Sequence, residues 1–160
     1  SDYPAEFDAI FRQKKMPEDP TIYIANTSHS DPSHAPNGGS NLFVLVNAPY
    51  LSDQVDWKKE TQTWYKKIIR KLEQRGLKNL SEHITYKKII TPLDFYDRYS
   101  SNRGSIYGTS SNNLFSAFMR PKNRSPHLEN LFLVGGSSHP GGGIPLVLLS
   151  AYHACELISE

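Results

Sequence analysis

The stretch that most constrains the fold runs from Leu131 to Ala151 and reads LFLVGGSSHPGGGIPLVLLSA. The apolar run 131–134 is typical of a strand inside a parallel sheet, and Pro145 suits the first turn of a helix. The turn between them, 135–144, is rich in glycine, which takes positive φ readily and lets another molecule contact the backbone. Free N–H groups at the start of a helix favour negative charge. The stretch therefore predicts a strand–turn–helix unit that can hold a nucleotide.

The glycine turn matches neither common phosphate-binding loop. From Gly136 the spacing of an NTPase loop reaches Gly141, but Gly142 and Gly143 stand where that loop needs Lys and Ser or Thr. The dinucleotide fingerprint GxGxxG is absent from these residues. The residues alone leave a second interpretation open, in which the glycines only pack the helix closely on the strand.

The same stretch resembles the C-terminal flavin-binding signature of bacterial carotenoid desaturases of the phytoene and diapophytoene dehydrogenase type, whose pattern is close to LYLVGxxTHPGxGIPxVxxSA. The resemblance covers most of residues 20 to 153. Further blocks follow the family's order: Asp31-Pro32-Ser33, Ala35-Pro36, Thr91-Pro92, Asp94-Phe95, Gly104-Ser105-Ile106-Tyr107-Gly108, Phe118-Met119-Arg120-Pro121 and Asn123-Arg124-Ser125.

The resemblance implies an α+β fold with two parts. Residues 1–108 would belong to a substrate-binding domain, an antiparallel sheet with helices. Residues 109–160 would be the C-terminal piece of an incomplete Rossmann-like FAD domain. The family's N-terminal GxGxxG domain is missing here, and the chain begins without Met, so we expect a C-terminal fragment with half a cofactor site that is inactive alone.

The family's chemistry implies FAD as cofactor and a carotenoid such as phytoene or diapophytoene as substrate, with flavin taking a hydride as a C–C bond is desaturated. The expected cofactor-binding residues are Gly135, Gly136, Ser137, Ser138, His139, Pro140, Gly141, Gly142, Gly143, Ile144 and Pro145. Most flavin contacts would come from backbone N–H groups. His139 would lie beside the isoalloxazine or ribityl chain, or cap neighbouring backbone instead. No residue is identified as a catalytic acid or base.

Two other functional classes stay open beside the desaturase. One is a nonenzymatic module that binds a lipid or a protein partner. The other is a related flavin oxidoreductase or carotenoid oxidase acting on another apolar substrate. Aromatic residues that suit either a substrate tunnel or a core are Tyr96, Tyr99, Tyr107, Phe115 and Phe118, and Arg120 and Arg124 suit an ion pair, cofactor phosphate or the surface.

Composition adds looser bounds. The chain of 18.1 kDa with 38% hydrophobic residues suffices for one core or two small lobes. A net charge of +2 gives no reason to expect nucleic acid as a partner. Cys155 is the single cysteine, so no internal disulfide forms. With no signal peptide or long apolar span, we expect a cytoplasmic setting, with peripheral contact to the inner face of the membrane as a further possibility.

Residues 56–75 make the clearest helix, with Asp56 as its cap and Gly76 as its stop. One face carries Trp57, Thr61, Trp64, Ile68 and Leu72, and basic residues lie mostly elsewhere. A surface helix covering the sheet is the favoured interpretation. The alternative is a basic amphipathic helix that lies on an anionic membrane.

The remaining pattern predicts a helix over 5–14, strands over 21–27, 41–48 and 84–91, and a short helix from Thr91-Pro92 to Arg98. The three strands would form one antiparallel layer. The second strand, NLFVLVNA, is apolar on both faces and is expected to be central.

The cluster of His29, Asp31 and His34 has the side chains of a metal site but not its usual spacing, so a turn in which Asp31 binds local backbone is favoured and no metal is expected.

The strand expected at 131–134 would lack parallel neighbours on one side. This predicts an exposed apolar surface and self-association of the fragment.

Overall fold

The computed structural model of the protein describes residues 2–108 and 120–159. By contact the chain divides into two compact units, Ser1–Leu93 and Asp94–Glu160. The expected tunnel residues Phe115 and Phe118, and the start of the FMRP block, lie outside the described residues. The division of function between 1–108 and 109–160 stays a prediction.

The first unit begins with helix α1, Tyr3–Phe7, which continues as a π-helical turn over Asp8–Gln13. It then forms an antiparallel hairpin of β1, Ile22–Asn26, and β2, Leu42–Val46, with Ile22 opposite Val46 and Asn26 opposite Leu42. The expected α+β class, the first helix and the first two strands are confirmed.

The long connection of this hairpin contains helix α2, Thr27–Ser30, and a 3₁₀ turn over Pro32–His34. The Asp31 carboxylate accepts the Ser33 N–H at 3.0 Å, which confirms the expected local turn. The described residues contain no cluster of three or more His, Cys, Asp or Glu side chains suited to a metal ion.

Helix α3, Trp57–Gln74, follows the hairpin and matches its prediction closely. Asp56 caps it, and Gly76 takes a φ of +119° just after its end. Its apolar face reaches the small core of this unit, where Met16, Val55 and Trp57 are buried together. The predicted helix is confirmed and its apolar face contacts this small core, whereas its covering of the sheet and the membrane alternative stay predictions.

Two further helices follow, α4 over Leu80–His83 and α5 over Pro92–Tyr99. The predicted third strand at 84–91 is wrong, since these residues are irregular. Within the described residues the sheet has two strands, so β2 is not central either. Phe43, Val44 and Leu45 are all exposed, because an apolar sequence predicts strand geometry without supplying the neighbour that would cover it.

The second unit contains a 3₁₀ turn, Asn102–Gly104, and helix α6, Ile144–Ser159. The parallel strand predicted at 131–134 is wrong. Phe132 forms a single antiparallel bridge with Arg124, and the Leu131 carbonyl and Leu133 N–H pair with the irregular segment 123–125. This segment offers one antiparallel partner and no parallel one, so the run does not extend into a strand.

The apolar half of α6, residues 144–149, is largely exposed. Ile144 and Leu148 are 79% and 66% exposed, and Leu146, Leu149 and Tyr152 are exposed as well. These side chains give α6 an exposed apolar surface, and self-association stays a prediction. Among the described helices, none combines the length and apolarity needed to cross a bilayer.

Candidate functional site: the glycine turn before helix α6

The turn 135–143 leads directly into α6, as its sequence predicts, with Pro145 in the first turn of the helix. Gly135, Gly141 and Gly143 have φ values of +123°, +142° and +98°, in the region that L side chains rarely adopt. The backbone direction of this turn therefore depends on glycine at these three positions.

Two of the glycines border open space. A Cβ added at Gly135 or Gly143 would meet no atom within 4 Å. Gly141 is different, because the Arg120 guanidinium carbon lies 3.5 Å from the place of its missing Cβ. Gly142 is covered more tightly, since a Cβ there would overlap the Tyr107 ring. The turn thus has an open end at Gly143 and a covered middle.

The N–H groups at the open end have no protein partner among residues 2–108 and 120–159. The groups concerned belong to Gly143 and Ile144, whereas the Val147 N–H already donates within the helix to the Gly143 carbonyl at 2.9 Å. Unpaired N–H groups at the start of a 16-residue helix carry the positive end of its dipole. This end of the turn can therefore stabilise negative charge.

Arg120 holds the turn from the side. Its Nη1 donates to the Gly136 carbonyl at 2.9 Å and to the Tyr107 carbonyl at 3.0 Å. This contact, in which the guanidinium bridges two backbone segments, is additional to the roles that the sequence leaves open for Arg120. Arg124 is exposed and lies over the Phe132 ring at 6.0 Å.

The serines of the turn have different environments. Ser137 is exposed, whereas Ser138 is buried and its hydroxyl donates to the Gly135 carbonyl at 3.0 Å. The Ser138 hydroxyl thus faces the protein interior. The His139 ring is exposed, 6.3 Å between centroids from the His153 ring, and the His139 N–H donates to the Pro121 carbonyl at 2.8 Å. The His139-Pro140 peptide is cis.

Sequence reasoning missed two buried polar residues beneath the turn, Asn123 and Ser150, which are 5% and 0% exposed. A signal existed for Ser150, since a lone hydroxyl in the apolar run IPLVLLSA requires a partner when buried. Asn123 gave no such signal, because its partners lie 10 to 27 residues away in the chain.

The comparisons with known proteins give a consistent result. The 4,4'-diaponeurosporene oxygenase of Staphylococcus haemolyticus (strain JCSC1435) is 38% identical over 159 residues, which are 99% of this chain and 32% of that protein. The protein of the same name from Staphylococcus aureus (strain MW2) is 42% identical over 154 residues, 96% of this chain and 31% of that protein. No protein-family model matches the chain.

The chain spans about a third of the length of the curated relatives it matches. Their name specifies an oxygenase, whereas the motifs of the sequence resemble desaturases. The expected relationship is confirmed in this form: nearly the whole chain is homologous to about a third of the length of proteins named 4,4'-diaponeurosporene oxygenase.

Proposed function

We propose that this chain is part of an FAD-dependent oxidoreductase that acts on a carotenoid, and that its glycine turn binds the flavin. The observation that carries the proposal is the open end of the turn, where Gly143 and Ile144 are exposed and their N–H groups have no acceptor among the described residues. The names of the relatives favour oxygenation of a diaponeurosporene-like polyene.

Desaturation is the second candidate reaction. It is favoured by the glycine-turn sequence itself, which follows the desaturase pattern through His139-Pro140 and Gly143-Ile144-Pro145. Both reactions remove electrons from an apolar polyene, so both require the same half-site from this chain.

The turn suits a flavin at one end only. At Gly143 the backbone is bare and its N–H groups face no described acceptor, which suits an electron-rich ring edge. At Gly142 the Tyr107 ring already occupies the approach to the backbone. Flavin, when bound, would accept a hydride from the substrate.

The chain's own contribution is electrostatic and positional. The helix start at Gly143 and Ile144 would stabilise the negative charge that reduced flavin gathers, through N–H donors and the dipole of α6. Arg120 keeps the Gly136 carbonyl turned toward its own guanidinium.

The test is a flavin titration followed by fluorescence quenching. It uses this chain and a chimera in which these residues replace the matching third of the Staphylococcus aureus relative. We expect quenching with the chimera and little with the chain alone, because the chain holds half a site. Absence of quenching by both proteins, with the unmodified relative binding normally, would contradict the proposal.

A matched pair of variants locates the contact. Gly143→Ala and Gly76→Ala both place a side chain at positive φ in open space, so both carry a similar backbone penalty. We expect only Gly143→Ala to weaken flavin binding by the chimera, by about tenfold for one disturbed charge-assisted bond. Equal effects of the two variants would show that the loss is one of stability.

A further inference from the structure

The side-chain amide of Asn123 is buried at the point where three segments of the second unit meet. Its Nδ2 carries two hydrogens and lies 2.9 Å from the Leu133 carbonyl, 3.0 Å from the His139 carbonyl and 2.9 Å from the Ser150 hydroxyl, so these acceptors share its two N–H donors. The Ser150 carbonyl is a fourth acceptor at 3.3 Å. One amide group thus joins the run before the turn, the turn itself and helix α6.

Ser150 continues this network to the other end of the turn. Its hydroxyl accepts the Gly135 N–H at 3.2 Å and lies 3.1 Å from the Ser138 hydroxyl. Ser138 in turn donates to the Gly135 carbonyl. The first residue of the turn is therefore held by Ser150, and the middle, at His139, is held by Asn123.

This anchoring matters because ordering the glycine-rich turn costs conformational entropy. Glycine loses more conformational freedom on folding than other residues, and three glycines here have positive φ. A buried, mutually satisfied polar network selects one geometry where apolar packing would tolerate several.

We propose that Asn123, together with Ser150, is a positioning residue that sets the direction of the Gly143 and Ile144 N–H groups toward an electron-rich ligand. The identity of that ligand as a flavin rests on the proposed function. The anchoring of the turn does not, so the two can fail separately.

The test compares Asn123→Asp with Ser159→Ala. The first change keeps the side-chain shape but replaces the donor group with an oxygen that faces carbonyls and a hydroxyl. The second removes an exposed hydroxyl from the same unit, where it donates to the Cys155 carbonyl. Amide hydrogen exchange of this chain, resolved by residue with NMR, is the primary measurement.

We expect Asn123→Asp to speed exchange by about tenfold or more at Gly135, Ser138 and His139, because one buried donor is lost. The N–H groups of these residues donate to the Ser150 hydroxyl, the Gly135 carbonyl and the Pro121 carbonyl, so their exchange reports the order of the turn. Exchange in the last turns of α6 should change much less, and Ser159→Ala should leave the turn unchanged. If Asn123→Asp unfolds the unit, Ser150→Ala, which removes one hydroxyl, gives the same comparison with a smaller effect.

Two results would overturn the positioning role. One is unchanged exchange in the turn. The other is equal acceleration throughout the second unit, which indicates general support of the fold. In the chimera, flavin affinity should fall by about tenfold with Asn123→Asp. If the chimera binds flavin and Asn123→Asp leaves its affinity unaltered, the positioning role is also overturned. If the chimera binds no flavin, the proposed function is contradicted, and the exchange result alone decides whether Asn123 positions the turn.

Discussion

The two long helices begin in opposite ways. At the start of α3 the Asp56 carboxylate accepts the Lys58 and Lys59 N–H groups at 3.2 and 3.3 Å. At the start of α6 the Gly143 and Ile144 N–H groups meet no acceptor in the part of the chain that the structure describes. The positive end of the helix dipole is neutralised by the protein at the start of α3, whereas the described residues leave it unpaired at the start of α6. The proposed function depends on this difference.

The buried polar groups of the two units differ in charge. In the first unit the Glu6 carboxylate, 1% exposed, accepts the Thr21 N–H at 3.0 Å, the Thr21 hydroxyl at 2.6 Å and the Asn47 amide at 3.1 Å. In the second unit the network around Asn123 is neutral. A buried charged group stabilises the first unit, so pH should change the stability of the two units differently.

The largest effect is expected from Glu6→Ala. Removal of the carboxylate takes away the acceptor of the half-buried Thr21 N–H and hydroxyl and of the Asn47 amide, which should lower the free energy of unfolding by about 3 kcal/mol. Urea unfolding followed by Trp fluorescence measures this directly, since both tryptophans, Trp57 and Trp64, lie in the first unit. Glu18→Ala, at an exposed carboxylate, is the control and should cost less than about 0.5 kcal/mol.

The same variant tests the pH dependence. Burial raises the pKa of Glu6, but hydrogen bonds from Thr21 and Asn47 outweigh it and hold the pKa below the ordinary value of 4.5. A lowered pKa means that the contribution of Glu6 is present above that value and is lost as pH falls through the folded-state pKa. The stability difference between the chain and Glu6→Ala should therefore shrink below about pH 4.5; a constant difference would contradict this origin.

An intermediate effect is expected from Gly142→Ala in the second unit. Gly142 does not have a positive φ, so the penalty comes from overlap with the Tyr107 ring and should reach about 2 kcal/mol. Amide exchange in α6 measures it, while Trp fluorescence should stay unchanged. In a Tyr107→Ala background the penalty should nearly vanish. Its persistence there would exclude the ring as the cause.

The smallest effect is expected from Asp56→Ala, which makes the start of α3 resemble that of α6. Loss of a capping carboxylate typically costs about 1 kcal/mol. Urea unfolding with Trp fluorescence checks the value, with Asp53→Ala as the control for a nearby exposed carboxylate. If the two variants behave alike, solvent satisfies the α3 N–H groups as well as Asp56 does, and the contrast between the two helix starts loses its energetic basis.

Local signals predicted the elements that local physics builds. The extent of α3 followed from a capping Asp56, a face with helical spacing and the stop at Gly76. The hairpin followed from two apolar runs separated by turn residues. The family that the glycine turn resembles was also recognisable, because a motif of adjacent residues is visible in the sequence without the fold.

Strand pairing and the burial of polar side chains could not be predicted from such local signals. The runs 84–91 and 131–134 have strand-like composition, but a strand exists only where another segment supplies its hydrogen bonds. Asn123 and Ser150 lie 27 residues apart and meet only when the second unit is folded.

The sequence by itself determined the two long helices, the hairpin and the position of the glycine turn, because each depends on contacts within a few residues. The tertiary structure alone decided which helix start stays open, which backbone Tyr107 covers and which amide anchors the turn. Those outcomes depend on groups that are distant in the chain, and only folding brings them within hydrogen-bonding distance.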